Sequence, residues 1–248
     1  MAHIFFSLEF RKDKQGVPFF ASFPFIVDGK PQTGISCGIS SRFAGDMKND
    51  RRNQNRIRLF GELGLNSDNV FGLNQIHSRS VLFVDGKNEP VLDADGMVTN
   101  DRNVTLSVTV ADCLPVFLLD TKSGTFGLVH SGWKGTGIAI DAIALMKERF
   151  GTKLDDVAAI LGPCIDSCCY RVDKERACVF EKEFGKESVR KSSGNFYLDL
   201  KNANIMLLSN YGVQNIAVCK DCTFTDDRLG SFRREGGLFT HMAALLNC

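Results

Sequence analysis

With 248 residues, 44% of them hydrophobic and 24% charged, the chain has the makeup of a soluble globular protein able to bury a sizeable core. A formal net charge of +1 gives no electrostatic case for nucleic acid or an anionic membrane, and no run reaches the ~18 apolar residues that span a bilayer. The N-terminus, MAHIFFSLEFRKDKQG, breaks its apolar stretch at Glu9 and carries its positive charge afterwards, unlike an export signal. The expectation is a cytoplasmic protein with reduced thiols, and an odd count of nine cysteines argues against a closed disulfide framework.

Taken in order, the early segments PFF and FPFIVDGKPQTGI alternate short apolar runs with turn signals, which predicts strands and a hairpin turning at Asp-Gly. Residues 50–63 predict a helix with Ile57, Leu59, Phe60 and Leu63 as a partial apolar face. The stretch RNVTLSVTVADCLPVFLLD holds two β-branched or apolar runs broken at Ala-Asp-Cys, the pattern of two buried strands, or of one strand entering a bulge, with polar residues at the break. A strand ending in FGLVH leads through a Gly-rich turn into a helix over GIAIDAIALMKERF, with Gly151 as its C-cap. Residues 157–161 and 213–219 read as strands, 198–210 as a helix, and 238–247 as a short helix. Without repeats or linkers, residues 1–248 read as one α/β or α+β domain with mixed β-sheet layers and flanking helices.

Of the four histidines, His77 precedes the strand-like VLFV and His130 ends the strand FGLVH, while Cys113 lies at the strand break ADC. Two imidazoles and a thiolate make a three-ligand set for catalytic zinc, with the fourth position open to water or substrate. The spacing follows no compact motif and is a weak signal by itself, against a default of hydrogen-bonded strand-end histidines beside a small core cysteine. CIDSCC (Cys164, Cys168, Cys169) and CKDC (Cys219, Cys222) invite a second metal or redox reading, against a default of ordinary reduced thiols.

The segments NQIHSRSVLFV, ADGMVTN, VTVADCLPVFLLD, FGLVHSGWKGT, ILGPCIDSCCYRV and CTFTDDRLGSFRREGG, spanning about residues 74–236, resemble the YfiH-like laccase-domain family. The resemblance implies a fold similar to that of some cysteine hydrolases. It also implies a zinc site at the His of Q-x-H, the Cys of ADC and the His of H-x-GW, here His77, Cys113 and His130. It points to Arg56, in an Asn-Arg pair, as a catalytic or phosphate-clamping residue, and to Lys134 in GWKG as a substrate contact, though each also reads as a solvated surface cation. The stretch before that helix, GISCGISSRFAGDMKND, departs from the family's glycine-rich pattern.

Four histidines cannot furnish a multicopper cluster, although His2Cys could hold a single copper. The resemblance implies a purine nucleoside enzyme: phosphorolysis of adenosine, inosine or methylthioadenosine, with adenosine deamination beside it and Asp112 as one candidate acid/base. Cys113 and His130 also fit a hydrolase nucleophile and base, since some relatives are linked to editing peptidoglycan precursors. A third reading is a metal-stabilised binding protein with a closed site recruiting Cys164. The partners expected are a purine nucleoside and phosphate, with the chain a monomer or small homo-oligomer.

Overall fold

A computed structural model describes residues 3–87 and 91–247. Two mixed sheets carry the architecture. The larger runs in the order β1 (Ile4–Phe6), β17 (Asn215–Cys219), β13 (Val157–Leu161), β11 (Leu114–Asp120), β12 (Phe126–Ser131), β9 (Gly96–Thr99) and β8 (Val81–Phe83). The smaller runs β2 (Phe10–Lys12), β3 (Pro18–Ser22), β6 (Ser36–Ser40), β18 (Met242–Asn247), β10 (Thr105–Val110) and β7 (Val70–Gly72). A hairpin of β4 (Ile26–Val27) and β5 (Lys30–Pro31) turns at Asp28 and Gly29, whose φ of 49° and 74° are what a two-residue Asp-Gly turn requires. Strands β14 (Arg171–Val172), β16 (Asn195–Leu198) and β15 (Val189–Ser192) form a separate small sheet.

Strand alternation explains the layering. Along β11, Phe117 and Leu119 enter the core between the two sheets, whereas Leu114, Val116 and Leu118 face helices α2 (Ile138–Phe150), α3 (Lys174–Phe184) and α4 (Leu200–Tyr211). Along β18, Met242, Ala244 and Leu246 join the central core, while Ala243 and Leu245 pack under α1 (Gln54–Leu63). The order of layers is therefore helix, sheet, sheet, helices. Strands covered on both faces read as unbroken apolar runs, which is why β11 and β13 are so evident in the sequence.

Helix ends follow their caps. Asn53 accepts from the backbone N–H groups of Asn55 and Arg56 at the start of α1, and Gly64 closes it at φ 70°. Gly151 ends α2 as expected, at φ 68°. The inward stripe of α1 is Arg56, Leu59 and Phe60, and Ile57 points outward at 43% exposed. The expected helix over 238–247 is replaced by strand β18 from Met242 onward. Met, Ala and Leu favour helix locally, but β18 is hydrogen-bonded to β6 on one side and β10 on the other, and that pairing overrides propensity. Helix α3 was not apparent in the sequence reading, although Ala177, Phe180 and Phe184 mark its buried side.

The break at Ala-Asp-Cys has a larger meaning than a bulge. Strand β10 belongs to the smaller sheet and β11 to the larger, so residues 111–113 carry the chain from one sheet to the other. Asp112 sits at φ 88° in this crossing, and Cys113 is thereby placed at the seam. No helix among the described residues is long and apolar enough to cross a membrane.

Candidate active site

At the seam the ligand atoms of His77, Cys113 and His130 all lie within 4.8 Å of one another. The imidazole rings meet edge to face, with centroids 4.9 Å apart. Each side chain comes from a different kind of position: His77 from the loop before β8, Cys113 from the sheet crossing, His130 from β12. Gly132 lets them close up, since a Cβ there would stand 3.1 Å from Cys113 Sγ and 3.3 Å from His77 Cδ2.

Asp95, fully buried just before β9, organises the group. Its carboxylate accepts from the backbone N–H groups of Ile76, His77 and Ser78 at 3.3, 3.0 and 2.6 Å and from Ser78 Oγ at 2.8 Å. These bonds hold His77 at φ 59°, a left-handed conformation worth roughly 1–2 kcal/mol of strain in a non-glycine residue. The same carboxylate lies 2.9 Å from His130 Nδ1, which leaves Nε2 turned towards Cys113. Burial alone would raise the Asp95 carboxyl, but the bonds from His130 and Ser78 hold it down to about 2.

The electrostatics make a relay. Burial pushes the Cys113 thiol up, yet His130 and His77 overcome it and bring it down to about 6. Burial pushes His130 the other way, and Cys113 with Asp95 reverses that, to about 9. Thiolate, imidazolium and carboxylate thus stabilise one another in a row. The thiolate is already in the metal-binding form and His130 joins it once its proton leaves, so the set of two imidazoles and a thiolate fits zinc or copper.

Above the cluster opens a cavity of about 490 Å³. Its walls are aromatic and cationic, with Trp133, Tyr170, Phe232 and Phe239 beside Arg176 and Arg233. The Arg176 guanidinium lies 4.8 Å over the Trp133 ring and that of Arg233 5.3 Å over Tyr170. Arg233 spends one N–H on the Arg171 carbonyl, and Arg176 sits 3.9 Å from Asp173, so both keep donors for an anion. Gln75 locks the loop carrying His77 onto β10, exchanging bonds with Thr109 at 2.7 and 2.8 Å.

Residues 32–248 match the family model described as multi-copper polyphenol oxidoreductase laccase. The chain belongs to this family. It is 35% identical over 187 residues to a purine nucleoside phosphorylase of Corynebacterium glutamicum, covering 73% of this chain and 76% of that one. It is 35% identical over 167 residues to a purine nucleoside phosphorylase of Mus musculus, covering 66% of this chain but only 38% of the mouse protein. The crystal structure of YlmD from Geobacillus stearothermophilus superposes with a TM-score of 0.82 at 26% identity, over 96% of this chain and 98% of that one.

Within this laccase-domain frame the expected site residues separate. His77, Cys113 and His130 come together and line the cavity. Arg56 and Lys134 do not line it. Arg56 is buried on α1, donating to the Met47 carbonyl at 3.1 Å and to Ser107 Oγ at 3.0 Å, with the Phe60 ring 5.1 Å away. Lys134 is exposed, its Nζ 5.6 Å from the Trp133 ring. Asp112 lines the cavity, but Thr223 Oγ1 and the backbone N–H of Arg233 occupy its two oxygens at 2.6 and 2.7 Å, the arrangement of a structural cap. Cys164 is buried apart from the His-Cys-His group, donating to the Ile165 carbonyl. At the start of α2, Arg79 forks onto Asp141. Sequence reading missed Asp95, Arg176 and Arg233. Asp95 stands in the matched segment ADGMVTN, the one signal that could have found it.

Proposed function

We propose that this chain is a zinc-dependent purine nucleoside phosphorylase acting on adenosine, inosine or methylthioadenosine. The observation that carries the proposal is the His77–Cys113–His130 cluster at the floor of a cavity walled by aromatic rings and two arginines. The relatives named purine nucleoside phosphorylase support the same reading. Zinc held by His77, Cys113 and His130 would supply a Lewis acid facing the cavity.

The chain's own residues do the rest. Trp133, Tyr170, Phe232 and Phe239 offer ring faces against which a planar purine can stack. Arg176 and Arg233 place guanidinium forks where phosphate oxygens would bind, each set over an aromatic ring of the cavity wall. Asp95 fixes the tautomer and orientation of His130, a positioning role. Four histidines in the whole chain leave too few donors for a multicopper oxidase cluster. One observation favours a second reading: the Cys113–His130–Asp95 row is also the order of thiol nucleophile, base and orienting acid in a hydrolase.

The deciding experiment measures metal content and turnover of adenosine, with and without phosphate, in wild type and Cys113→Ala. Adenine and ribose 1-phosphate formed only with phosphate, from protein holding about one zinc per chain, is the expected outcome. Inosine formed without phosphate would add deamination. Full activity after complete chelation would overturn the metal-dependent reading in favour of the thiol hydrolase.

A further inference from the structure

Away from the cavity the structure gathers a second group of sulfurs. Cys168 and Cys169 lie in the turn closed by bonds from the N–H groups of Cys169 and Tyr170 to the Asp166 carbonyl. Their Sγ atoms stand 3.3 Å apart on the same side, and Cys168 Sγ is 3.8 Å from Cys222 Sγ. All three sulfurs fall within 4.8 Å of one another, and all three are free thiols. Cys222 is carried there by the CKDC segment, which bridges to Cys164 and so fixes the two loops side by side.

From this geometry we propose that Cys168, Cys169 and Cys222 form a second metal site, for a thiophilic d10 cation such as Cu⁺ or Zn²⁺. Sulfurs bound to one such ion at about 2.3 Å stand on the order of 3.8–4.0 Å apart, so the observed group needs only small rotations about its side-chain bonds. An all-sulfur donor set selects soft cations over magnesium or calcium. Access is open: Cys168 is exposed at the rim of a groove of about 580 Å³. Asp166, Asp221, Asp226 and Asp227 line that groove against Lys220 and Arg228, a local excess of negative charge that favours a cation's approach. Binding an ion there would displace the thiol protons, so uptake should release protons and strengthen as pH rises.

The position gives the site a consequence. The loop through Cys168 and Cys169 also supplies Ile165 and Tyr170 to the cavity, and the residue after Cys222 is Thr223, which holds Asp112. An ion at the sulfurs ties together two segments that shape the cavity wall.

The test uses the full chain, reduced with a non-chelating phosphine under anaerobic conditions. Wild type and the double variant Cys168→Ser/Cys169→Ser are titrated with Zn²⁺, and separately with Cu⁺, in competition with a chromogenic chelator. Ultraviolet thiolate-to-metal charge transfer is followed alongside. Wild type is expected to take one more equivalent than the variant, whatever the histidine site holds, and the ion giving the tighter competition names the preferred metal. Both replaced side chains are outside the core, so equal far-ultraviolet circular dichroism and thermal midpoints should accompany the loss. Equal stoichiometry and identical competition curves would overturn the proposal. So would peptide mapping that finds a disulfide among the three cysteines in freshly purified protein, because the cluster would then be a redox pair.

Discussion

Ser107 and Cys113 lie on one stretch of chain, and each anchors a buried charge cluster of a different kind. At Ser107 the guanidinium of Arg56 is enclosed by protein acceptors, and burial lowers it only to about 10, so it stays charged at neutral pH. At Cys113 the charges face one another and a cavity, and each group is shifted by its neighbours against the effect of burial. A buried ion whose hydrogen bonds end in its own scaffold fixes a helix to a sheet. A buried row of ions whose last member opens onto a cavity is the arrangement by which active sites tune their groups. The same contrast holds among thiols, since Cys164, fully enclosed and lacking imidazole neighbours, is pushed well upward.

The largest effect should come from Cys113→Ala. Removing the thiolate takes away one donor of the cluster and the anion that sustains His130 as a cation. Turnover is expected to fall to background and metal retention to fail in dialysis. Measured kcat within tenfold of wild type would erase the distinction between the two clusters.

Next in size is Asp95→Asn, which keeps the shape and changes the acceptor. An amide cannot accept all the bonds that Asp95 now accepts, so His77 and His130 lose their fixed orientation. A fall of about 10–100-fold in metal affinity or kcat/KM is expected, the usual range when a partner of a ligating histidine is altered. Asp95→Ala, which orphans several buried donors, should also destabilise the fold by about 3–5 kcal/mol, read from urea unfolding. If Asp95→Asn changes stability alone, Asp95 belongs with the Arg56 kind of cluster.

Much of this contrast was legible in the sequence, and its gaps have physical causes. Strands buried on both faces, such as β11 and β13, announce themselves as apolar runs, and the Asp28-Gly29 turn and the caps of α1 and α2 are local signals. Strand β18 was misread because its environment comes from β6 and β10, both distant in the chain. The meeting of His77, Cys113 and His130 followed from the family resemblance, since their spacing encodes no contact. Arg56 was drawn towards the site by its place in an Asn-Arg pair, and only packing shows that it is the polar member of the stripe Arg56, Leu59 and Phe60. Arg176 and Arg233 were indistinguishable from surface cations until α3 and α5 (Phe232–Glu235) set them over aromatic rings.

A smaller effect is expected at those two arginines. Arg176→Gln and Arg233→Gln each remove a charge-assisted contact worth about 1.5–3 kcal/mol to a bound anion. If they hold phosphate, KM for phosphate should rise roughly tenfold or more while KM for the nucleoside and kcat change little. An equal rise in nucleoside KM would instead mean that the rings have moved and that the arginines serve packing.

The smallest change in activity is expected at Arg56, and it is the sharpest test of the comparison. Arg56→Met keeps the apolar stem and removes the guanidinium, leaving the Met47 carbonyl and Ser107 Oγ without that donor. An unpaired buried polar group costs about 1–3 kcal/mol. For a chain of this size each kcal/mol lowers the melting temperature by roughly 2–4 °C, so a drop of several degrees is expected. Values of kcat/KM for nucleoside and phosphate, measured well below that melting temperature, should stay within about twofold of wild type. Arg56→Lys should recover part of the stability, because an ammonium can reach one of the two acceptors but cannot fork to both. A tenfold loss of kcat/KM with an unchanged melting temperature would transfer Arg56 from the scaffold to the chemistry, and with it the meaning of the whole α1–β10 contact.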